Sequence, residues 1–315
     1  MASPALNPDD AVPRHDVPLG GRSGFAVIDD RQVHYLEWGR VRAPNVLCLH
    51  GGGQTAYMYE ELGAALAGRY HVVAPDLPSH GDSDPTHEAE PRASRSEAEA
   101  RTGVGRHALA ATLPPLYEHF GMGPAVVVGA SLGGITAITL GAARRDLVSG
   151  IVLIDIGHRL EEEGVRRIID FMRAHDSFAS LEDAATSIAA YLPHRKEVRP
   201  ESLSRNLRQR PDGRWVWKHG LARAWRADDV DPEDLPDWRG ILEGLGDDAA
   251  ALRCPVLVLR GAASDVLSDQ GAEEVAAVIS DSRLRTVANA GHLAAGDNPE
   301  STVGLVSAFL SEIGW

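Results

Sequence analysis

The sequence predicts an α/β fold: a mostly parallel eight-stranded sheet with helices on both faces, and a helical cap inserted after the sixth strand. Two observations lead there. Short apolar, β-branched runs alternate with helical patterns over most of the chain, and their short links fit right-handed crossovers between parallel neighbours. That alternation then breaks for roughly a hundred residues of helical and aromatic sequence, too long a stretch for a crossover alone.

Residues 1–22 lack periodicity and read as a flexible tail. Residues 25–38, FAVIDDRQVHYLEW, read as a hairpin turning at Asp29 and Asp30. The buried run 46–49 opens the first strand-helix-strand unit. It leaves through His50-Gly51-Gly52-Gly53 into a helix over 56–66 and a strand over 72–74. The charged stretch 85–103 has no apolar period and reads as a surface loop. A helix over 104–120, bent or divided at Pro114 and Pro115, leads back to a strand at 125–129. A small-residue helix follows Ser131, and SGIVLIDI supplies the sixth strand, ending near Asp155.

The insertion, residues 157–253, carries three helical patterns. Val165, Ile168, Ile169 and Met172 recur at helical spacing; Ser180 with Asp183 starts a second helix; residues 238–252 form a third. Between them lies DGRWVWKHGLARAW. Ligands of open α/β sheets sit at the C-terminal strand edge, so the insertion is expected to lie over that edge as a cap, with Trp215, Trp217, His219 and Trp225 as candidate pocket-lining residues beside Gly53. The core, 23–156 and 254–315, then closes with a strand at 255–261, a helix over 270–279, a strand from Leu284 and a final helix over 300–313.

Composition narrows the partners. With 45 acidic against 31 basic residues and a net charge of -14, the chain is a poor match for nucleic acid or an anionic membrane. No stretch is long and apolar enough to span a bilayer, and the N-terminus lacks the apolar core of a secretion signal. Cys48 and Cys254 fall within apolar runs, which reads as buried free thiols in a reduced, cytoplasmic setting and not as a metal site. A small-molecule substrate is the expected partner.

The chemistry centres on Gly129-Ala130-Ser131-Leu132-Gly133. This composition yields about 0.2 chance matches to G-x-S-x-G per chain, so the motif needs its context. Here the serine sits on a strand-to-helix corner, where glycines on either side keep neighbouring atoms off the hydroxyl and the helix start points free N–H groups toward it. A serine hydroxyl needs a base, and imidazole, with an unperturbed pKa near 6.5, serves when a carboxylate holds its tautomer. Parallel strands open their following loops on one edge, which brings Ser131, Asp265 and His292 to the same side. For the carboxylate, Asp155 and Asp269 compete with Asp265; Asp265 is preferred to Asp269 because it lies in the loop just past its strand whereas Asp269 opens the next helix, and Asp155 after the sixth strand is the serious rival.

These segments, taken with Asp76-Leu77-Pro78-Ser79-His80-Gly81-Asp82-Ser83, Arg260-Gly261 and Ala290-Gly291-His292, resemble the α/β-hydrolase superfamily from Phe25 to the C-terminus. The resemblance implies Ser131 as nucleophile, His292 as base, Asp265 as its partner and an oxyanion hole from the N–H groups of Gly52 and Leu132. It implies no metal and no organic cofactor. His50, Asp76, His80 and Ser83 are expected to brace their loops. Relatives that cleave epoxides or haloalkanes use aspartate at the nucleophile position, so Ser131 points to hydrolysis of an ester or lactone through an acyl-enzyme. Carbon-carbon bond hydrolase and cofactor-free perhydrolase are same-fold alternatives, the former disfavoured by Gly51-Gly52-Gly53-Gln54-Thr55 where a glycine-proline turn is usual. A small-molecule receptor that keeps the triad is the alternative from another class.

Overall fold

The computed structural model describes residues 15–85, 105–195, 197–219 and 238–315. Its strands are β1 (His15–Asp16), β2 (Arg22–Ile28), β3 (Arg31–Trp38), β4 (Asn45–Leu49), β5 (His71–Pro75), β6 (Ala125–Ala130), β7 (Val148–Ile154), β8 (Ser177–Phe178), β9 (Leu207–Gln209), β10 (Trp215–Trp217), β11 (Val256–Gly261) and β12 (Ser282–Val287). The main sheet has the order β1-β2-β3-β5-β4-β6-β7-β11-β12. From β5 to β12 every pairing is parallel, while β1, β2 and β3 pair antiparallel.

The eight expected strands are therefore present, with the two-residue β1 added at the edge. Part of the tail expected over 1–22 is corrected by this: His15 and Asp16 pair with Ser23 and Arg22, and Val17 is buried, while residues 1–14 lie outside the described residues. The hairpin turns at Asp29 and Asp30, both at positive φ. The helical stretch before β6 is divided into Arg106–Ala111 and Leu113–His119, with proline in the first turn of the second piece, where a missing N–H costs nothing. The surface loop expected at 85–103 lies, beyond Pro85, outside the described residues.

Period-2 alternation sorts the central strands onto two buried faces. Val127, Ile151, Leu153 and Val258 pack on one side with Leu113 and Ile138. Val126, Val128, Val152, Ile154 and Leu259 pack on the other with Leu62 and Phe309. Helices on both faces explain why β5 and β6 are buried throughout. Cys48 is fully buried and Cys254 partly so, neither in a disulfide.

The insertion differs from the all-helical cap that periodicity suggests. Helices Glu162–Ala174 and Leu181–Tyr191 are present, the second capped by the Ser180 hydroxyl accepting from the Asp183 N–H. The aromatic stretch, however, supplies β10, the centre of a three-stranded antiparallel sheet in the order β8-β10-β9. Three consecutive β-formers, Trp215, Val216 and Trp217, outweigh the helical neighbours there. The pattern at 238–252 is broken by Gly244 at φ +70 into helices Trp238–Leu242 and Leu245–Ala251. The second of these belongs to the core: Leu245, Ala249 and Leu252 are buried with Ile138 and Leu140, and a Cβ on Gly141 would stand 2.8 Å from Leu252.

Among the described residues, ion pairs tie the insertion to segments that follow the core strands, with the insertion giving the cation in each of the following. Arg167 meets Asp265 at 3.0 Å, Arg195 meets Asp297 at 3.3 Å, Lys218 meets Asp82 at 2.9 Å, and Arg205 meets Glu60.

Candidate active site

Ser131 directly follows β6 with φ 47 and ψ -115, a conformation rarely tolerated by a residue with a side chain. Two glycines make the corner possible. A Cβ on Gly133 would lie 2.0 Å from the Leu49 carbonyl oxygen, and one on Gly129 would lie 2.4 Å from the Gly133 oxygen, so the helix Leu132–Ala143 can approach β4 and β6 only without side chains there. The first N–H groups of that helix, beginning with Leu132, lie at its positive end.

His292 follows β12, and its Nδ1 donates to Oδ2 of Asp155 at 2.8 Å. Asp155 is fully buried and sits at φ 52 directly after β7, a twist that turns its carboxylate toward β11. Oδ1 accepts from the Gly261 N–H at 2.8 Å, and Oδ2 also accepts from the Ser264 hydroxyl at 2.5 Å. Ser264 is oriented in turn by the N–H groups of Val266 and Leu267, at 3.2 and 3.1 Å. With Nδ1–H committed to a carboxylate, neutral His292 keeps its lone pair on Nε2.

The expected pairing of His292 with Asp265 is thus corrected to Asp155. Asp265 is turned into the insertion: its carboxylate meets Arg167, it is about one-third exposed, and Gly164 packs so tightly on its carbonyl that a Cβ would come within 2.0 Å. Asp269 begins the next helix beside its N-cap Ser268 and pairs with Arg260. Hydrogen bonds chain the serine corner to the acid-histidine pair, because the Ser131 N–H donates at 3.2 Å to the carbonyl of Ile154, the residue before Asp155. Sequence reasoning did not find Ser264; no motif marks it, and its part follows from the turn geometry after β11.

The loop after β4 borders the serine. A Cβ on Gly51 would lie 3.4 Å from that of Ser131, so the loop begins beside the corner. His50 holds this loop to the one after β5, with Nδ1 donating to the Gly51 carbonyl at 2.8 Å and Nε2 accepting from the Leu77 N–H at 2.8 Å. Asp76 accepts from Ala56 N–H, Asp82 N–H and His34 Nδ1 at 2.7, 3.0 and 2.7 Å. Burial pushes its carboxyl up, but His34 and the other donors outweigh that and hold it below the usual range. His34, Asp76 and Asp82 come close enough to suggest a metal cluster, yet His34 Nε2 is also engaged, with the Ser23 hydroxyl at 2.9 Å. The described residues there form a closed hydrogen-bond network that braces the loops.

From the insertion, Met172 and His219 come down on Gly53: a Cβ there would meet Met172 Cε at 2.6 Å and His219 Nε2 at 3.4 Å. Trp217 is a core residue of the insertion, packed with Phe178 and donating its indole N–H to the His175 carbonyl at 2.6 Å. Trp215 is half-buried against the same cluster, and Trp225 lies outside the described residues. Of the insertion residues that reach the glycine loop, His219 is among the expected lining candidates, whereas Met172 reads in the sequence only as part of a helical period.

Burial holds the His80 imidazole down to about 3, and that of His219 down to about 4. Above pH 6.5, the ordinary value, folded and unfolded chains both carry neutral rings there and these groups add no pH dependence. Below it, the unfolded rings take up protons that the folded ones refuse. Stability is therefore expected to fall as pH drops from about 6.5 toward 4, by up to about 1.4 kcal/mol per ring per pH unit. Thermal melts between pH 7.5 and 4.5 measure this; a flat melting temperature would contradict neutral burial of the two rings.

Known proteins resemble this chain in sequence and fold. Residues 46–305 match the model of the alpha/beta hydrolase family. Esterase Rv0045c of Mycobacterium tuberculosis (strain ATCC 25618 / H37Rv) is 30% identical over 290 residues, which cover 88% of this chain and 86% of that protein. Lipase LipV of the same strain is 31% identical over 191 residues, 60% of this chain and 67% of its own. Among solved structures, E-2-(acetamidomethylene)succinate hydrolase superposes with a TM-score of 0.75 at 22% identity, covering 92% of this chain and 99% of that one, a likeness of fold.

Proposed function

Because the chain belongs to the alpha/beta hydrolase family and is a hydrolase, we propose that it cleaves carboxylic esters or lactones through a serine acyl-enzyme, with the insertion acting as a cap over the site. The observation that carries this reading is the 2.8 Å bond between His292 Nδ1 and Asp155, set on the same sheet edge as a serine held at positive φ. Relatives named esterase and lipase support the ester class.

In this mechanism Ser131 Oγ attacks the ester carbonyl carbon as His292 Nε2 takes its proton, and Asp155 stabilises the imidazolium. The carbonyl oxygen becomes an oxyanion, held by the N–H groups of Leu132 and Gly52. Collapse breaks the bond to the alcohol, which leaves with the proton from His292. Water then attacks the acyl-enzyme, giving its proton to His292 Nε2, and the carboxylic acid departs as Oγ is reprotonated.

A fluorophosphonate probe is expected to label one peptide, that containing Ser131, and p-nitrophenyl esters are expected to be hydrolysed. Mass mapping of the label to another residue, or labelling with no ester turnover, would refute the proposal.

A further inference from the structure

Three histidine rings run in a row from the loop after β4 into the insertion. The ring centres of His50 and His80 are 5.2 Å apart, and those of His80 and His219 are 5.9 Å apart. An isolated antiparallel bridge also joins the backbones of His80 and His219. Both nitrogens of His50 are engaged, as described above. The other two rings differ: His80 Nδ1 donates to the Pro78 carbonyl at 2.9 Å, which leaves Nε2 as a bare acceptor. That nitrogen, and both nitrogens of His219, are buried with no hydrogen-bond partner among the described residues.

A folded protein rarely leaves three polar atoms unsatisfied in one place. Their position gives a reason. His219 Nε2 lies 3.4 Å from where a Cβ on Gly53 would stand, and a Cβ on Gly51 in the same loop would stand 3.4 Å from that of Ser131. We propose that His80 and His219 form a polar subsite for an uncharged hydroxyl group of the substrate, so that hydroxylated acyl or alcohol groups are preferred to their plain hydrocarbon counterparts. This rests on the ester-hydrolase reading above.

A hydroxyl fits because it donates and accepts at once. Its proton goes to the lone pair on His80 Nε2, and its oxygen accepts from the N–H of His219. A carboxylate fits poorly. Both rings stay neutral at pH 7 because burial, foremost, holds them down to about 3 and about 4, so neither offers a countercharge. The neighbouring Lys218 is already engaged with Asp82 at 2.9 Å.

The test compares ethyl butyrate with ethyl 2-, 3- and 4-hydroxybutyrate, and with 2-hydroxyethyl butyrate, by pH-stat on the full chain at pH 7.5. At least one hydroxylated ester is expected to exceed its parent in kcat/KM by about tenfold or more, since a subsite built to bond a hydroxyl rejects the analogue lacking it. In His219→Leu and His80→Leu the ratio within each variant is expected to shrink to about twofold or less, and His219→Asn to keep an intermediate preference. Should His80→Leu fail to fold, the two His219 variants decide. Equal or better turnover of every parent ester, or a preference undiminished in His219→Leu, would overturn the subsite alone. Absence of any ester turnover in the unaltered protein would instead overturn the hydrolase reading, and the subsite with it.

Discussion

Ser131→Ala is expected to lower kcat on p-nitrophenyl esters by roughly 10⁵-fold while shifting the melting temperature by no more than about 2 °C. The loss is large because the remaining groups act only through the hydroxyl: without Oγ, His292 has no proton to take and the oxyanion donors have no covalent intermediate to hold. Stability is spared because alanine keeps the Cβ and the backbone. Ser131→Gly makes the contrast informative. A residue with a side chain at φ 47 and ψ -115 stores backbone strain of about 1–3 kcal/mol, and glycine relieves it. The glycine variant is therefore expected to be as inactive as the alanine variant but to melt higher. Turnover retained in either, beyond contaminating parent enzyme, would refute Ser131 as nucleophile.

The second large effect separates two carboxylates. Asp155→Asn is expected to cost about 10⁴-fold in kcat, because an amide turned toward Nδ1 would place the imidazole proton on Nε2, the nitrogen that must accept from serine. It is also expected to cost about 1–3 kcal/mol of stability, since a single amide oxygen cannot serve the donors from Gly261, Ser264 and His292 that the buried carboxylate receives. Asp265→Asn removes only a partly exposed pair with Arg167, so its kcat is expected to stay within about threefold of the parent. Steady-state kinetics and thermal melts on the two variants, side by side, give the answer. A heavier kinetic loss at Asp265 than at Asp155 would reverse the assignment.

The contrast between these aspartates bears on what can be read without coordinates. Both follow a strand of the same parallel sheet, and both open on the edge where Ser131 and His292 lie. Position along the chain separates Asp265 from Asp269, which opens the next helix, but not from Asp155, which follows its own strand directly. What decides is a local twist, φ 52 at Asp155, and the adjacency of β7 to β11, which brings the Gly261 N–H against its carboxylate. Neither leaves a residue-type signature. The insertion teaches a related lesson. Helix Glu162–Ala174 carries apolar residues at helical spacing, but β8, β9 and β10 are two or three residues long, too short for a period to register.

Alternation of apolar runs, the glycines around Ser131 and the late Gly291-His292 were enough to determine the sheet, the serine corner and the histidine, because each depends on neighbours within a few positions. The choice of Asp155, the placing of Leu245 and Ala249 in the core, and the meeting of His219 with His80 and Gly53 were decided only by the tertiary structure. They depend on contacts between segments far apart in the chain, and such contacts are set by packing, which local sequence pattern does not encode.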